Sequence, residues 1–297
     1  MDNTKKNIEI ADLSVIYPNG YAALKSVDVT LQTHKVYGLV GANGAGKSTL
    51  FKAIMGLIKP SKGHISIFGK SVKDALRQNL ISYVPQTEEV NWNFPVLVQD
   101  VIMMGRYRQM GFLRRPSKRD HQIVDDVLSL IKMSEFKKRQ IGELSGGQKK
   151  RVFVARALAQ GGEIILLDEP FSGIDIKTEE ELIILFKSLS KEGKLILTST
   201  HNLGSVPRFC DEVILINKTI LCHGEVEDVF TTKNLAKAFG GFLRHHTLLG
   251  GDLHKDEDKR GLTVMSDDER PLVFYGNAKG GQKIINKDKK QKIETKK

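Results

Sequence analysis

Lys47 and Ser48 stand side by side at the end of the octapeptide GANGAGKS. With Gly41 and Gly46 they occupy the four defining places of the pattern G-x-x-x-x-G-K-[ST]. Small residues at this spacing let successive backbone N–H groups turn inward toward phosphate oxygens, and a helix starting at the lysine adds its positive end. The chemistry is capture of a nucleoside triphosphate such as ATP. Asn43, Gly44, Ala45 and Gly46 form the cradle, Lys47 reaches the β- and γ-phosphates, Ser48 takes a place on Mg²⁺, and Thr49 belongs to the same helix start.

Asp168 and Glu169, in IILLDEP, are the second reactive pair. Four apolar residues predict a buried strand, and its end delivers both carboxylates to the edge where open α/β sheets bind ligands. Asp168 is expected to hold the Mg²⁺ shell and Glu169 to orient and polarise an attacking water. His201 follows the run KLILTST, a strand expected beside the carboxylate strand, which puts the imidazole within reach of a γ-phosphate. A third stretch, LSGGQKKR at 144–151, poses a puzzle. Ser145, Gly146 and Gly147 also suit an anion, yet a complete phosphate loop already precedes them.

These residues need a scaffold, and the hydrophobic pattern supplies one. From Asn7 to about Phe68, short β-branched runs (IEIADLSVIY, VDVTL, VYGLV, HISIFG) surround one periodic helix, KSTLFKAIMGL, with Leu50, Phe51, Ile54 and Met55 on one side. Between about Pro85 and Gln140 the pattern turns helical and polar, interrupted by the basic loop RYRQMGFLRRPSKR. From Ser145 to about Asn217, helix GGQKKRVFVARALAQ, strand EIILLDEP, helix TEEELIILFKSLS and strand KLILTST alternate. Glu179, Glu180 and Glu181 are expected in the first turn of that second helix, where the macrodipole favours negative charge. The fold class is α/β, with a mainly parallel sheet core, an N-terminal antiparallel β region and a helical insertion. After Asn234 the pattern fades, and LTVMSDDERPLVFYG predicts one or two late strands.

Composition narrows the setting. No apolar run approaches the ~18 residues of a membrane span, and MDNTKKNIEI lacks a signal-type segment, so a cytosolic location is expected. Cys210 and Cys222 fit a reducing compartment better than a disulfide framework. The net charge of +11 would suit nucleic acid or an anionic surface, but residues 279–297 hold eight lysines against Asp288 and Glu294. Most of the excess therefore belongs to a tail expected to be solvated. His245, His246, Asp252, His254 and Asp256 offer metal-type donors without a ligand spacing, so 245–257 is expected to be a linker.

The phosphate loop, LSGGQ, ILLDEP and the strand-end histidine, in this order and with a helical insert between the first two, resemble the ATP-binding subunit of ABC transporters. The resemblance covers about residues 7–240 and implies a P-loop ABC cassette at 1–240, an insertion at about 87–143, and an extension at 241–297. It also answers the puzzle of the second glycine turn, because such cassettes pair head to tail. Ser145, Gly146, Gly147 and Gln148 of one chain would close over the ATP held by the other. The resemblance further implies adenine stacking on Tyr17, a Gln86 that reaches Mg²⁺ and the attacking water, Asp175 in a cross-interface loop, and His201 as a switch histidine. SGID stands where the family usually has SALD, so Gly173 departs from the pattern.

The stretch YVPQTEEVNWNFPVLVQDVIMMGRY is similar to the corresponding part of bacterial importers for manganese, iron or zinc, particularly the manganese and chelated-iron branch. That implies a peripheral ATPase on the cytoplasmic face of the inner membrane. Its partners would be a second, identical ATP-binding subunit, permease subunits and, indirectly, an extracytoplasmic metal-binding protein. Trp92, Phe94 and Tyr107 would lie near the groove for a permease helix. A soluble ABC ATPase acting on nucleic acid is the rival reading, but it normally fuses two cassettes or inserts a coiled coil, so no specific nucleic acid is expected. An inactive cassette is disfavoured by intact Lys47, Asp168, Glu169 and His201.

Overall fold

The computed structural model describes residues 6–86 and 95–240, and beyond them the backbone of four strands within 244–284. In chain order the strands are β1 (Asn7–Ile16), β2 (Ala22–Gln32), β3 (Val36–Val40), β4 (Lys62–Ile67), β5 (Lys70–Ser71), β6 (Ile81–Val84), β7 (Ile164–Asp168), β8 (Leu195–Thr200), β9 (Glu212–Asn217) and β10 (Thr219–Glu225). The helices are α1 (Lys47–Ile54), α2 (Val72–Arg77), α3 (Val98–Met103), α4 (Lys118–Leu130), α5 (Gly146–Gln160), α6 (Ile176–Lys191), α7 (Val206–Phe209), α8 (Val226–Val229) and α9 (Thr232–Phe239).

The central sheet runs β10-β9-β3-β8-β7-β6, parallel throughout except for the β10 edge. Every residue of β3, β7 and β8 is buried, as in strands covered on both faces, and the polar residues Asp168 and Thr198–Thr200 fall at their C-terminal ends. Period-two alternation then sorts their side chains. Tyr37, Leu39, Leu166 and Leu197 join the core beneath α1 and the N-terminal sheet. Val36, Val40, Leu167 and Ile196 join the other core, with α5 and α6. The strand ends that carry the reactive residues are thus clamped from two sides.

The N-terminal region is a second sheet, β2-β1-β4-β5, antiparallel as its alternating burial predicts. Leu50, Phe51 and Ile54 of α1 are buried against it, and Met55 caps the helix half-exposed. Between β6 and α5, helices α3 and α4 pack on α5. α4 opens with a capping box in which Ser117 and Asp120 satisfy each other's backbone N–H groups.

Two expectations need correction. α6 starts at Ile176 behind the N-cap Asp175, so only Glu179 lies in its first turn. Glu180 and Glu181 point to other work, pairing with Arg208, and with Arg151 and Lys132. The segment expected to be a linker contains strand β11 (Arg244–Leu249), which includes His245 and His246. With β12 (Gly261–Ser266), β13 (Leu272–Gly276) and β14 (Lys283–Ile284) it forms a four-stranded antiparallel sheet, in which β12 and β13 are the late strands expected within LTVMSDDERPLVFYG and β11 and β14 are additional. β14 falls within 279–297, expected to be a solvated tail; its other residues, with Trp92, Phe94, Asp252, His254 and Asp256, lie outside the described residues. Among the described residues no helix is long and apolar enough to cross a membrane, no three His, Cys, Asp or Glu side chains cluster as a metal site, and Cys210 and Cys222 are free thiols.

Candidate nucleotide site

β3 ends at Val40, the loop 41–46 turns over its tip, and α1 begins at Lys47. Gly41 is dictated by close approach: a Cβ there would lie 2.2 Å from the Ile216 carbonyl oxygen of neighbouring β9. The loop and helix start wall a cavity of about 410 Å³, together with Tyr21, Ala23, Gln86 and Glu169. Lys47 is buried, and its Nζ donates to the carbonyls of Gly41 at 2.6 Å and Ala42 at 3.2 Å. Burial pushes its pKa down, against the pull of the Glu169 and Asp168 charges. An anion entering the loop would find this ammonium already aimed at the cradle.

The other wall is assembled by sheet order. β6, β7 and β8 are consecutive parallel neighbours, so residues just past their C-terminal ends meet although they are far apart in sequence. Glu169, one residue past β7, accepts from Gln86 Nε2 at 2.5 Å on Oε2 and bonds His201 Nδ1 at 2.8 Å through Oε1. Its backbone adopts φ +48°, a left-handed conformation uncommon for a side-chain-bearing residue. The Glu169 N–H is fixed on the Ser199 carbonyl at 3.1 Å and hydroxyl at 3.2 Å, which holds that turn. Burial raises the Glu169 pKa, but the His201 hydrogen bond and the charges of His201, Lys47 and Lys150 more than offset it. The carboxyl therefore ionises below the ordinary glutamate range. Asp168 is held differently: the Ser199 hydroxyl bonds one oxygen and the Tyr83 hydroxyl the other at 3.3 Å.

The family model for ABC transporters matches residues 24–172, the span from β2 past the two carboxylates. This chain belongs to the ABC transporter ATP-binding subunits. It is an ATPase, and ATP is its substrate. It is 55% identical to the chelated iron transport system membrane protein YfeB of Yersinia pestis over 287 residues, 97% of each chain. The manganese transport system ATP-binding protein MntA of Synechocystis is 52% identical over 80% of this chain and 92% of that one. Among solved structures, an inward-facing metal-chelate type ABC transporter superposes with TM-score 0.72 over 91% of this chain and 96% of that one, at 23% identity. A dimeric cassette bound to ADP and Pi gives TM-score 0.63 at 27% identity, over 74% of this chain and 98% of that one.

In this ABC cassette the LSGGQ residues do not wall the cavity of their own chain. Ser145 caps α5, accepting from Gln148 N–H at 3.3 Å, while Gln148 Oε1 accepts from Ser145 N–H at 2.9 Å. Ser145 and Gly146 are exposed, and Gly147 lies against α6: a Cβ on it would stand 3.2 Å from Thr178 Oγ1 and 3.3 Å from Asp175 Oδ2. Asp175 in turn caps α6, bonding Thr178 N–H at 2.9 Å and its hydroxyl at 2.7 Å. Gly173 has φ +71°, a left-handed conformation in which a Cβ would be strained. The structure thus gathers Gly41–Thr49, Gln86, Asp168, Glu169 and His201 at one site and Ser145–Gln148 with Asp175 at another.

Tyr17 and Tyr21 divide unexpectedly. Tyr17 is tied to the loop helix by a 3.1 Å hydrogen bond between its hydroxyl and Thr49 Oγ1, whereas Tyr21 is the tyrosine that lines the cavity. Tyr21 is 44% exposed with the Lys218 ammonium 4.8 Å from its ring centre. Sequence reasoning passed over Tyr21, although PNGY marks it as the residue leaving a turn into β2. Ser199 and Tyr83, which hold Asp168, were also missed, because a polar residue inside an apolar strand carries no pattern of its own.

Proposed function

We propose that the chain is the ATP-hydrolysing subunit of an importer that carries a metal ion, manganese or iron, into the cell. Support comes from the chelated-iron and manganese relatives at 55% and 52% identity, against 39% for the zinc transport protein TroB of Treponema pallidum. The YfeB alignment, at 97% of this chain, also takes in the extension beyond residue 240. The ion itself is cargo of the membrane assembly. On this reading the subunit sits peripherally on the cytoplasmic face, bound to permease subunits and paired with a second copy, and an extracytoplasmic protein delivers the metal.

The observation that carries the mechanism is Glu169 held between His201 and Gln86 on a cavity shared with Lys47 and Ser48. Lys47 and the backbone donors of 43–48 would grip the phosphates of ATP, and Tyr17 or Tyr21 the base. Ser48, Gln86 and Asp168 are all oxygen donors, the hard set that suits Mg²⁺. They would hold the ion, which would supply positive charge to offset that of the phosphates. Glu169, fixed by its two partners, would orient the attacking water and accept its proton, while His201 steadies the carboxylate and meets the γ-phosphate. Ser145, Gly146 and Gly147 of the second copy, with Asp175 at the seam, would complete the site, so ATP closes the pair and hydrolysis releases it.

Glu169→Gln tests this. The amide keeps shape and neutral hydrogen bonding but cannot take a proton. ATP binding is expected to persist, turnover to fall by at least about a hundredfold, and a nucleotide-bound dimer to accumulate on size exclusion. Normal turnover by the variant would remove Glu169 from the chemistry. Metal uptake by the reconstituted complex, offered Mn²⁺, Fe²⁺ and Zn²⁺ separately, identifies the cargo.

A further inference from the structure

The basic loop before α4 ends in a feature the ATPase reading does not use. Between Asp100 and Asp120 the chain carries Arg106, Arg108, Arg114, Arg115, Lys118 and Arg119 and no carboxylate. At its tip Phe112 is 99% exposed and Leu113 69%. They are the two central residues of a turn closed by the Arg114 N–H on the Gly111 carbonyl at 2.9 Å.

The base of this turn is ordered. Arg114 donates to the Tyr107 carbonyl at 2.7 Å and lays its guanidinium 4.7 Å from the Tyr107 ring centre. Gln109 bonds the Gln160 carbonyl and Arg108 the Leu76 carbonyl, each at 2.7 Å, and Met110 is buried. These ties stop Phe112 and Leu113 from folding back onto the protein, so an apolar pair is held out in water between cationic side chains. An aromatic and an aliphatic tip with a basic rim matches the interface of an anionic bilayer, where apolar groups enter the acyl boundary and arginines stay with the phosphates.

We propose that the 111–119 turn rests on anionic lipid headgroups, Phe112 and Leu113 inserting and Arg115, Lys118 and Arg119 contacting lipid phosphates. All of 111–119 is exposed, which leaves these charges available. A groove lined by Leu57, Met104, Tyr107 and Arg108 borders the same loop, so a lipid contact here would orient the groove toward the membrane. That orientation matters only if the importer reading holds; lipid binding itself does not depend on it.

The test is flotation of the full chain with vesicles of equal parts phosphatidylglycerol and phosphatidylcholine, against pure phosphatidylcholine. The wild type is expected to float with the anionic vesicles only. F112S/L113S is expected to bind about tenfold more weakly. R115E/R119E is expected to lose at least about fivefold per arginine and to show a flatter salt dependence. ATPase activity, unchanged in both, reports intact folding. Because the lysine-rich C-terminal residues are the same in every protein, the differences read the loop alone. Equal flotation of variants and wild type would overturn the proposal, as would variants that float normally but no longer copurify with the permease, which would make the turn a protein contact.

Discussion

Replacing His201 with alanine removes one of the two side-chain hydrogen bonds that hold the Glu169 carboxylate, the 2.8 Å contact to Oε1. The carboxylate is mostly buried, its side chain 9% exposed, so water replaces the lost partner poorly. A hydrogen bond to a charged group of this kind is worth about 1.5–3 kcal/mol. If the loss falls on the transition state, kcat drops by about ten- to a hundredfold. The pH profile carries a second, independent signature. In the wild type Glu169 ionises below its ordinary range, because the His201 bond and neighbouring positive charges offset burial. A base works only when ionised, so its acid limb lies at low pH. Without His201 the upward push of burial is opposed by Lys47, Lys150 and the remaining Gln86 hydrogen bond alone, the Glu169 pKa rises, and the acid limb moves to higher pH. Steady-state hydrolysis measured across the acid range, with Gln86 intact, separates the two effects. His201→Gln, which can still offer a hydrogen bond, is expected to fall between wild type and alanine. An alanine variant within about twofold of wild-type kcat, with an unmoved acid limb, would show that the contact positions nothing.

Tyr21→Ala is expected to weaken ATP binding by roughly tenfold while leaving tripolyphosphate binding unchanged, since a base-stacking ring contributes about 1–3 kcal/mol; equal affinities by calorimetry would return the base to Tyr17. Ser145→Asp keeps a competent N-cap on α5, so the unfolding midpoint should barely move, within about 0.5 kcal/mol. On the proposed pairing it would set a negative charge against the γ-phosphate held by the second copy, and turnover is expected to fall by about a hundredfold or more. Asp120→Asn disrupts the α4 capping box and the Asp120–Arg106 pair, whose side chains are 8% and 11% exposed, and is expected to lower stability by about 2 kcal/mol in a denaturant titration. Hydrogen bonds from Ser117, and Arg106 against burial, hold the Asp120 pKa at about 2. Because that pKa is depressed, the stabilisation is present above the ordinary aspartate value and drains away as pH falls toward 2. The gap between wild type and variant should therefore close in acid.

The parts of the site that a local pattern dictates were legible beforehand. GANGAGKS, between an apolar strand and a periodic helix, could become little else, and α5 spans Gly146–Gln160, the run GGQKKRVFVARALAQ that was expected to be helical. IILLD read as a buried strand because β7 is covered on both faces. What stayed hidden depends on partners distant in the chain. The strand before His201 was expected beside β7, but the hydrogen bonds of Glu169 to both Gln86 and His201 follow from β6, β7 and β8 lying in that order, and the periodicity of a strand reports its burial, not which side chains its end will meet. The Asp175 cap moved the start of α6 back to Ile176, so two glutamates assigned to a dipole serve ion pairs instead. Strand β11 escaped notice because RHHTLL is short, opens on three polar residues and is followed by Gly250 and Gly251, and its pairing with β12 crosses more than ten residues.

The second glycine turn follows from hydrogen-bond accounting at one oxygen. Ser145 Oγ spends a lone pair accepting from Gln148 N–H, which leaves its own O–H free to donate. Beside it, Gly146 and Gly147 are the first residues of α5, whose N–H groups have no carbonyl within the helix. That cluster of donors at a helix N-terminus seeks an anion, and it faces none, since the cavity of its own chain is walled without it. Nor can it swing across, because Gly147 is wedged against Asp175 and Thr178 at the start of α6 with no room for even a methyl group at ordinary contact distance. On the head-to-tail pairing proposed above, this rigid, exposed and anion-seeking donor set would be satisfied by the phosphate held on a second copy. The capping box that opens α5 would then fix the geometry with which the neighbour's phosphate is met.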